Sequence, residues 1–347
     1  MTNFETAAKA RLAHFRQSSP TISIEGKAPS DTKGSTYAHL LALGHEEENL
    51  YPPLRGPGGA VEFFRQRGIP WWKAPQTGDE GSREFPTRNL ASSQICCVNF
   101  LLPLATTNEA IRSVLTALHP DVEAVPEITY PRNGQELASQ VEFEWVGLRD
   151  TLEGTSARSR GALATSADAL ILADLPAGGR RAYLLEWKYV ESYPSDQYLG
   201  DGAPGATRIG RYSPGFSRPS AVFSQEIPLQ AWLYKPFDQI LRLLLLGQKM
   251  IDEGELGVTE FVTVVVCPEE NIGYRSRITS PVMRSRFPTA STLEEVVHSS
   301  LRNPGLFRLA SQEDLLSAIA QRHSSDVQDW LSYHEARYAW VPRRPGA

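Results

Sequence analysis

A strand-like segment with two internal charges is the feature that most constrains this chain. Residues 184–191 read LLEWKYVE, which is an apolar run typical of a buried strand except for Glu186 and Lys188. Because side chains alternate along a strand, these two charges lie on one face, about 6–7 Å apart. An unpaired buried charge costs several kcal/mol, so each requires a partner or a metal ion. Alternatively, the two residues form an exposed ladder of charges on a half-covered sheet.

A second carboxylate stands at the start of the preceding apolar run. This run, DALILADL, begins at Asp168, and a turn containing Gly178 and Gly179 separates it from the next strand. A hairpin of the two strands would place Asp168 beside Glu186. Two carboxylates near a lysine suit Mg²⁺, or Mn²⁺ in its place, because such ions take hard oxygen ligands. The metal polarises a phosphodiester, and the ammonium group of Lys188 holds or helps to deprotonate the attacking water.

This pattern resembles the signature of a known superfamily. Asp168, seventeen intervening residues and then Glu186-Trp187-Lys188 look like the motif of the PD-(D/E)XK nucleases. The resemblance implies that Asp168 and Glu186 hold the metal, that the backbone carbonyl of Trp187 is a further ligand, and that Lys188 is catalytic. Ala167 stands where the superfamily often has a proline, which weakens the motif.

The order of predicted elements carries the same resemblance. Between about Asn89 and Glu270 it is helix, three strands, helix and strand, as in the superfamily core. The segments NLASSQICCVNFLLPL and FDQILR resemble a bacterial restriction-endonuclease-like branch. The implied fold is α/β, with a mixed central sheet flanked by helices. We expect an irregular extension at 1–88, the nuclease-like core at 89–275 and a helical part at 276–347.

Four polar residues are candidates for supporting roles around these acids. Gln94 lies on the first helix of the predicted core, where members of the superfamily often place an acid. Glu144 lies on the first strand, although a solvent-facing role is the alternative. Gln239 and Arg242 share one face of an apolar helix, and they either support the site or form an internal hydrogen-bonded pair. Asp174 competes for the metal, but its position just before a proline favours a turn.

A basic segment follows the strand with the two charges. Residues 192–220 are rich in Gly, Pro, Ser and Arg and show no clear period, which predicts a long loop. We expect Arg208, Arg211 and Arg218 to contact phosphates of a nucleic acid. The net charge of −5 argues against coating of nucleic acid through bulk charge. Before the core, Trp71 and Trp72 are predicted to pack the extension onto it, with base stacking as the alternative.

The remaining composition limits the classes of function. Three cysteines form no disulfide or zinc pattern, and the amino terminus lacks a signal-peptide core, so we expect a cytoplasmic protein. The sequence contains no P-loop, GxGxxG or GxSxG motif. It predicts a Mg²⁺-dependent endonuclease that cleaves DNA, for example in defence against foreign DNA. The alternatives are a catalytically silent module that binds nucleic acid or a protein, and an RNA-directed endonuclease. Double-strand cleavage with one site per chain favours a homodimer.

Overall fold

The computed structural model of the protein describes residues 3–32, 35–73, 82–106, 108–132, 134–148, 152–153, 164–323, 325 and 327–340. Within these residues the strands form two short hairpins and one larger sheet. The strands are β1 (Asp31–Thr32), β2 (Ser35–Thr36), β3 (Ile128–Arg132), β4 (Gln135–Ser139), β5 (Val141–Trp145), β6 (Ala167–Asp174), β7 (Arg180–Trp187), β8 (Glu260–Val266) and β9 (Phe307–Ala310).

Helices precede, interrupt and follow the larger sheet. None of those in the described residues has the length and apolar character needed to cross a membrane. The α-helices are α1 (Asn3–Ser18), α2 (Ala60–Gln66), α3 (Ser93–Leu101), α4 (Asn108–Leu118), α5 (Gly202–Ser217), α6 (Leu229–Trp232), α7 (Phe237–Asp252), α8 (Ile272–Arg275), α9 (Pro281–Arg286), α10 (Leu293–Ser299), α11 (Gln312–His323) and α12 (Gln328–Tyr338).

The larger sheet is mixed and runs in the order β5-β6-β7-β8-β9. Strands β5, β6 and β7 are antiparallel, whereas β8 and β9 join β7 in parallel. The tight β6–β7 connection requires Gly178 and Gly179, whose φ angles of 84° and 90° are unfavourable for other residues. The predicted hairpin is confirmed, and it brings the start of β6 next to the end of β7. The mixed α/β architecture is confirmed with it.

Each face of the sheet is covered by a separate hydrophobic core. Leu185, Trp187 and Tyr189 belong to the core that also contains buried residues of α1, α3, α4, α11 and α12. Leu184 and Leu170 belong to the core that contains residues of α5, α7 and α10. Since both faces are covered, apolar residues occupy consecutive positions of β6 and β7. Asp168, Arg181 and Glu186 are therefore buried as well, whereas Asp174 and Arg180 at the turn end of the hairpin are half-buried.

The long loop predicted at 192–220 is wrong in its central part, which forms α5. This segment contains Pro214 and several glycines, which are poor helix formers, so local preference argues for a loop. Packing overrides that preference, because Tyr212 and Phe216 are buried. At Gly215 a Cβ atom would lie 2.9 Å from Cδ2 of Leu245, so the missing side chain permits close approach to α7.

The carboxy-terminal part, predicted as helical, also contains the edge strand β9. Phe307 pairs with Thr263 of β8 in a parallel ladder, and four residues give too short a pattern to recognise. The predicted helices around β9 are present, and Ser311 Oγ accepts a 3.0 Å hydrogen bond from Asp314 N at the start of α11. The last helix, α12, begins at Gln328.

A buried arginine connects the last helix to the amino-terminal extension. Arg337 has no exposed surface, and its Nη1 donates to Asn49 O at 2.6 Å and to Tyr333 OH at 2.6 Å. Its Nη2 also donates to the side chain of Asn49 and, at 3.1 Å, to Leu90 O. Hydrogen bonds to a charged group contribute more than neutral ones. The last helix is thus joined to the segments around Asn49 and Leu90.

Candidate functional site

Three carboxylates occupy one row across the antiparallel half of the sheet. Ala169 pairs with Leu185, so continuing this register by one residue places Asp168 opposite Glu186. On the other side of β6, the pairs of residues 143 with 169 and 145 with 167 place Glu144 opposite Asp168. All three acids are buried, with exposed fractions of 5–7%. The hairpin therefore brings together the acids that the sequence predicted as partners.

The first two members of the motif are connected through the backbone. Trp187 N donates a 2.7 Å hydrogen bond to Oδ2 of Asp168. This bond fixes the Asp168 carboxylate against the residue between Glu186 and Lys188. The side chain of Trp187 points to the opposite face, where its Nε1 donates to Sγ of Cys96 at 3.2 Å. Packing of the large indole thus helps to hold the strand end in position.

Glu186 and Lys188 form a buried ion pair. Lys188 Nζ lies 2.6 Å from Oε1 of Glu186, and each residue is 5% exposed, which excludes the alternative of an exposed charge ladder. Burial alone lowers the pKa of Lys188, but the charge of Glu186 outweighs it, and the pKa lies well above its usual value. Lys188 is therefore an ammonium at neutral pH. Its backbone pairs with Val266 O and Gln312, so its position is fixed from both sides.

Gln239 contacts the same carboxylate oxygen from α7. Its Nε2 donates to Oε1 of Glu186 at 2.8 Å, and its Oε1 accepts from the hydroxyl of Tyr193 at 2.9 Å. Burial raises the pKa of Tyr193 to about 12, so this hydroxyl stays protonated and can donate. A donor on the amide oxygen directs the amide nitrogen towards Glu186. Gln239 therefore contacts the acid row rather than Arg242, which lies 3.7 Å from Asp238.

The third acid, Glu144, is held by residues outside its own strand. Gln94 Nε2 donates to Oε1 of Glu144 at 2.8 Å, and Ser166 Oγ donates to Oε2 at 3.1 Å. The backbone of Glu144 has a φ of 53°, in the left-handed region that non-glycine residues rarely adopt. Such strain costs about 1–3 kcal/mol and tends to occur at functional sites. The structure thus buries Glu144 rather than exposing it to solvent.

Glu186 reaches a surface cleft of about 640 Å³ between the sheet, α5 and α7. Arg208 and Arg211 line this cleft from α5. Lys235 lies just before α7, and Arg242 lies on it. The cleft lining also contains three acids, Glu153, Glu186 and Asp238, of which Glu186 is the candidate metal ligand. This volume lies within the usual range of small-molecule binding pockets.

Arg218 lies away from this cleft. It follows the last residue of α5, and its guanidinium forms an ion pair with Asp252 at the end of α7. Asp174 is likewise at the far end of the hairpin from Asp168, in a 2.8 Å ion pair with Arg180. The structure thus separates Arg208 and Arg211, which line the cleft, from Arg218.

Two residues near Glu186 were missed by the sequence prediction. Tyr193 lies two residues after the LLEWKYVE segment, and only the fold shows that its hydroxyl reaches Gln239. Asp238 lines the cleft beside Gln239, and burial raises the pKa of its carboxyl group. Adjacency to predicted site residues was the only sequence signal for either. Neither carries a motif of its own.

The donor set fits a small hard cation better than a softer metal. Mg²⁺ takes one or two protein carboxylates and completes its shell with water and substrate phosphate oxygens. Asp168 and Glu186 supply that number of carboxylates on adjacent strands. Within the described ranges no three Asp, Glu, His or Cys side chains are grouped to hold a metal ion. A zinc site, which needs at least three nitrogen, sulfur or carboxylate ligands, is not formed by these residues.

Comparison with known proteins identifies the family of the chain. Neither curated proteins nor solved structures yielded a match. The family model described as "Restriction Endonuclease associating with ARP" matches residues 13–339, which is nearly the whole chain. This match confirms the resemblance to restriction-endonuclease-like proteins and the corresponding fold class, and it supports a nuclease-like role. The chain belongs to the family of restriction endonucleases associating with ARP.

Proposed function

We propose that the protein is a metal-dependent endonuclease that hydrolyses phosphodiester bonds of DNA at the Asp168–Glu186–Lys188 site. The observation that carries this proposal is the placement of Asp168 opposite Glu186, with Lys188 Nζ 2.6 Å from Glu186. Family membership supports the reaction class. The words "restriction endonuclease" in the family description support a role in defence against foreign DNA.

Asp168, Glu186 and the backbone carbonyl of Trp187 would hold Mg²⁺ or Mn²⁺. When bound, such an ion polarises the phosphodiester and lowers the pKa of a bound water. Both hydrogen bonds to Glu186 from the described residues fall on Oε1. Oε2 is therefore available to a ligand on the cleft side. The bond from Trp187 N to Oδ2 of Asp168 keeps that carboxylate close to the strand end.

Lys188 and Gln239 prepare the acid for this role. Because Lys188 is protonated, it acts as a fixed positive charge that orients the attacking water and stabilises negative charge on the phosphate. Removal of a proton from water by Lys188 would first require loss of its own proton, which its raised pKa opposes. The hydroxyl of Tyr193 orients the amide of Gln239, and this amide in turn holds the Glu186 carboxylate through its own hydrogen bond.

The cationic side chains that line the cleft would bind the substrate backbone. Arg208 and Arg211 lie on one helix, three residues apart in the chain, and both line the cleft that Glu186 lines. Arginine binds phosphate oxygens through parallel hydrogen bonds and keeps its charge at any physiological pH. These contacts fix the substrate without reading its sequence. A third candidate phosphate contact is Arg242, which lies on α7 beside Asp238.

A cleavage assay tests the proposal. The purified full chain is incubated with plasmid DNA, single-stranded DNA and RNA in Mg²⁺ or Mn²⁺, with EDTA as the metal-free control. We expect cleavage of DNA that EDTA abolishes and that Asp168→Asn and Lys188→Met lose. The proposal would be overturned if wild type cleaved DNA with neither metal, or if both variants cleaved DNA as fast as wild type. Cleavage of RNA alone would reassign the enzyme to the RNA-directed class.

A catalytically silent nucleic-acid-binding module is the second candidate function. The observation that favours it is that the described residues contain no group of three potential metal ligands. Isothermal titration with Mg²⁺ and Mn²⁺ distinguishes the two functions. A silent module binds these ions no better than its Asp168→Asn variant, whereas the enzyme binds them more tightly than that variant does.

A further inference from the structure

One tryptophan differs from all the others in its exposure. Trp72 is 43% exposed, whereas the six remaining tryptophans are at most 5% exposed. Its side chain lines the cleft that Glu186, Arg208 and Arg211 also line. More than two fifths of this large aromatic residue thus faces solvent at a charged cleft. An exposed aromatic residue beside candidate catalytic groups is a candidate contact for a ligand.

Trp72 is held in place by its neighbours in the chain. Trp71 is buried and stacks on Phe64, with ring centroids 4.0 Å apart and an interplanar angle of 10°. On the other side, Lys73 is 8% exposed and its Nζ donates to Pro86 O at 2.8 Å. The indole of Trp72 thus projects from a backbone fixed at both flanking residues. A ligand that stacks on this ring has little backbone ordering to bring about.

The backbone of Trp72 is also connected to the acid row. Its N–H donates to Oε1 of Gln94 at 2.8 Å, and Nε2 of the same amide donates to Glu144 at 2.8 Å. Glu144 lies opposite Asp168 in the sheet. One glutamine side chain therefore sets the position of the exposed ring relative to the candidate catalytic carboxylates.

We propose that Trp72 is a stacking platform for an unpaired nucleobase next to the scissile phosphate. Base–aromatic stacking is independent of sequence, because every base has a π-face. Inside a duplex these faces are covered by neighbouring base pairs, so a base that stacks on Trp72 must first leave the helix. Arg208 and Arg211 then contact the phosphates that flank this base. The substrate class is a strand with an unstacked base, whether a single strand, a frayed end or a flipped nucleotide.

This inference rests on the proposed function and predicts the substrate of the same site. It requires single-stranded DNA to bind more tightly than the matching blunt duplex. A mismatch inside the duplex should restore part of the affinity, because it lowers the cost of extruding a base. Restoration by frayed ends alone would place the unstacked base at a terminus. Stacking contributes about 1–3 kcal/mol per base, so loss of the ring should weaken single-strand binding by about 5-fold to 150-fold.

Fluorescence and anisotropy titrations in EDTA measure binding without cleavage. Labelled single-stranded, duplex, mismatched and frayed oligonucleotides are titrated with wild type, Trp72→Phe and Trp72→Ala. Quenching of the intrinsic fluorescence by a stacked base reports mainly on Trp72, because the six buried tryptophans are shielded from contact with a bound base. We expect quenching by the single strand in wild type, retained affinity in Trp72→Phe and weakened single-strand binding in Trp72→Ala. Phe85→Ala, at an aromatic residue that is 46% exposed and outside the cleft, is the control and should bind like wild type.

The possible outcomes separate the two proposals. If wild type cleaves DNA while Trp72→Ala binds single strands as tightly as wild type, the stacking platform is wrong and the endonuclease stands. Equal weakening of single-strand and duplex binding in Trp72→Ala also overturns the platform. If single strands bind through Trp72 but no metal supports cleavage, the platform stands and the silent module replaces the enzyme. Failure to bind any nucleic acid overturns both, and thermal unfolding confirms that each variant is folded.

Discussion

The backbone N–H of Trp187 and the Oδ2 atom of Asp168 are joined by a 2.7 Å hydrogen bond across the β6–β7 hairpin. Through this bond the first acid of the motif contacts the residue between Glu186 and Lys188. The carboxylate of Asp168 therefore stabilises the local geometry of the site in addition to its proposed role as a metal ligand. A substitution at this position has to separate these two contributions.

Asp168→Asn retains a side-chain oxygen that can accept the bond from Trp187 N but removes the negative charge. We expect near-wild-type thermal stability and a loss of cleavage of about 100-fold or more, because charge stabilisation at the reacting phosphate is lost. Single-turnover cleavage in Mg²⁺ and thermal unfolding measure the two effects. Asp168→Ala, which also lacks the acceptor, should be less stable than Asp168→Asn. Cleavage by Asp168→Asn at the wild-type rate would contradict the proposed metal ligand.

The buried Glu186–Lys188 pair predicts a specific pattern in a double-mutant cycle. Lys188→Met leaves Glu186 buried without its cation, and breaking a buried pair in this way costs about 3–5 kcal/mol of unfolding free energy. Adding Glu186→Gln should recover most of that loss, because no uncompensated charge then remains. Denaturant unfolding measures the stabilities of the two single variants and the double variant.

The cleavage rates of these variants should not change in parallel with their unfolding free energies. The double variant lacks both the candidate metal ligand and the cation, so it should remain inactive despite its recovered stability. Recovery of activity together with stability would show that the pair has only a structural role. Cleavage rates of the variants, measured at saturating and at limiting Mg²⁺, show whether metal binding or a later step is lost.

Arg208→Gln and Arg211→Gln should change the salt dependence of DNA binding. Each phosphate contact releases counterions, so removal of one should reduce the slope of log affinity against log salt concentration by about 0.7–0.9. Arg218→Gln is the matched control, because Arg218 pairs with Asp252 and does not line the cleft. Anisotropy titrations over a series of salt concentrations give the slopes. A reduced slope in Arg218→Gln and unchanged slopes in the other two would place the nucleic acid elsewhere.

Burial of His334 predicts that the protein loses stability in acid. Burial lowers the pKa of His334 to about 3, whereas the unfolded chain has the usual value of about 6.5. Below that value the unfolded state takes up a proton that the folded state does not, so stability falls as the pH drops from about 6.5 towards about 3. The loss amounts to about 2 kcal/mol at pH 5. Above about pH 7 this residue contributes no pH dependence.

His334→Phe isolates this effect, because the site is surrounded by Phe100, Trp330, Tyr338 and Trp340. Unfolding free energies measured between pH 5 and pH 8 should vary less steeply in this variant than in wild type. His14→Phe, at an exposed position on α1, is the control and should keep the wild-type slope. Equal slopes in all three proteins would show that His334 is protonated in the folded state. His39 and His119, whose pKa values burial lowers to about 4, act in the same direction, whereas Glu313, whose pKa burial raises to about 7, acts in the opposite direction.

Local pattern was sufficient where one segment carried the whole signal. The apolar runs of β6, β7 and β8 and the Gly178–Gly179 turn were recognised because covered strands and tight turns restrict residue type directly. The juxtaposition of Asp168 and Glu186 followed, since the hairpin register is set by the turn. The helix α5 and the strand β9 were missed because contacts with distant segments stabilise them against weak or very short local patterns.

The sequence by itself determined the motif, the hairpin that assembles it and the α/β class, because these depend on strand periodicity and turn chemistry. Only the tertiary structure decided that Lys188 pairs with Glu186, that Gln239 and Tyr193 orient this acid, and that Trp72 faces the same cleft. Each of these contacts joins residues from different elements, and their distances depend on how the helices pack on the sheet. The burial of Glu186 and Lys188 also depends on this packing, because helices cover both faces of the sheet around the pair and leave a cleft beside it.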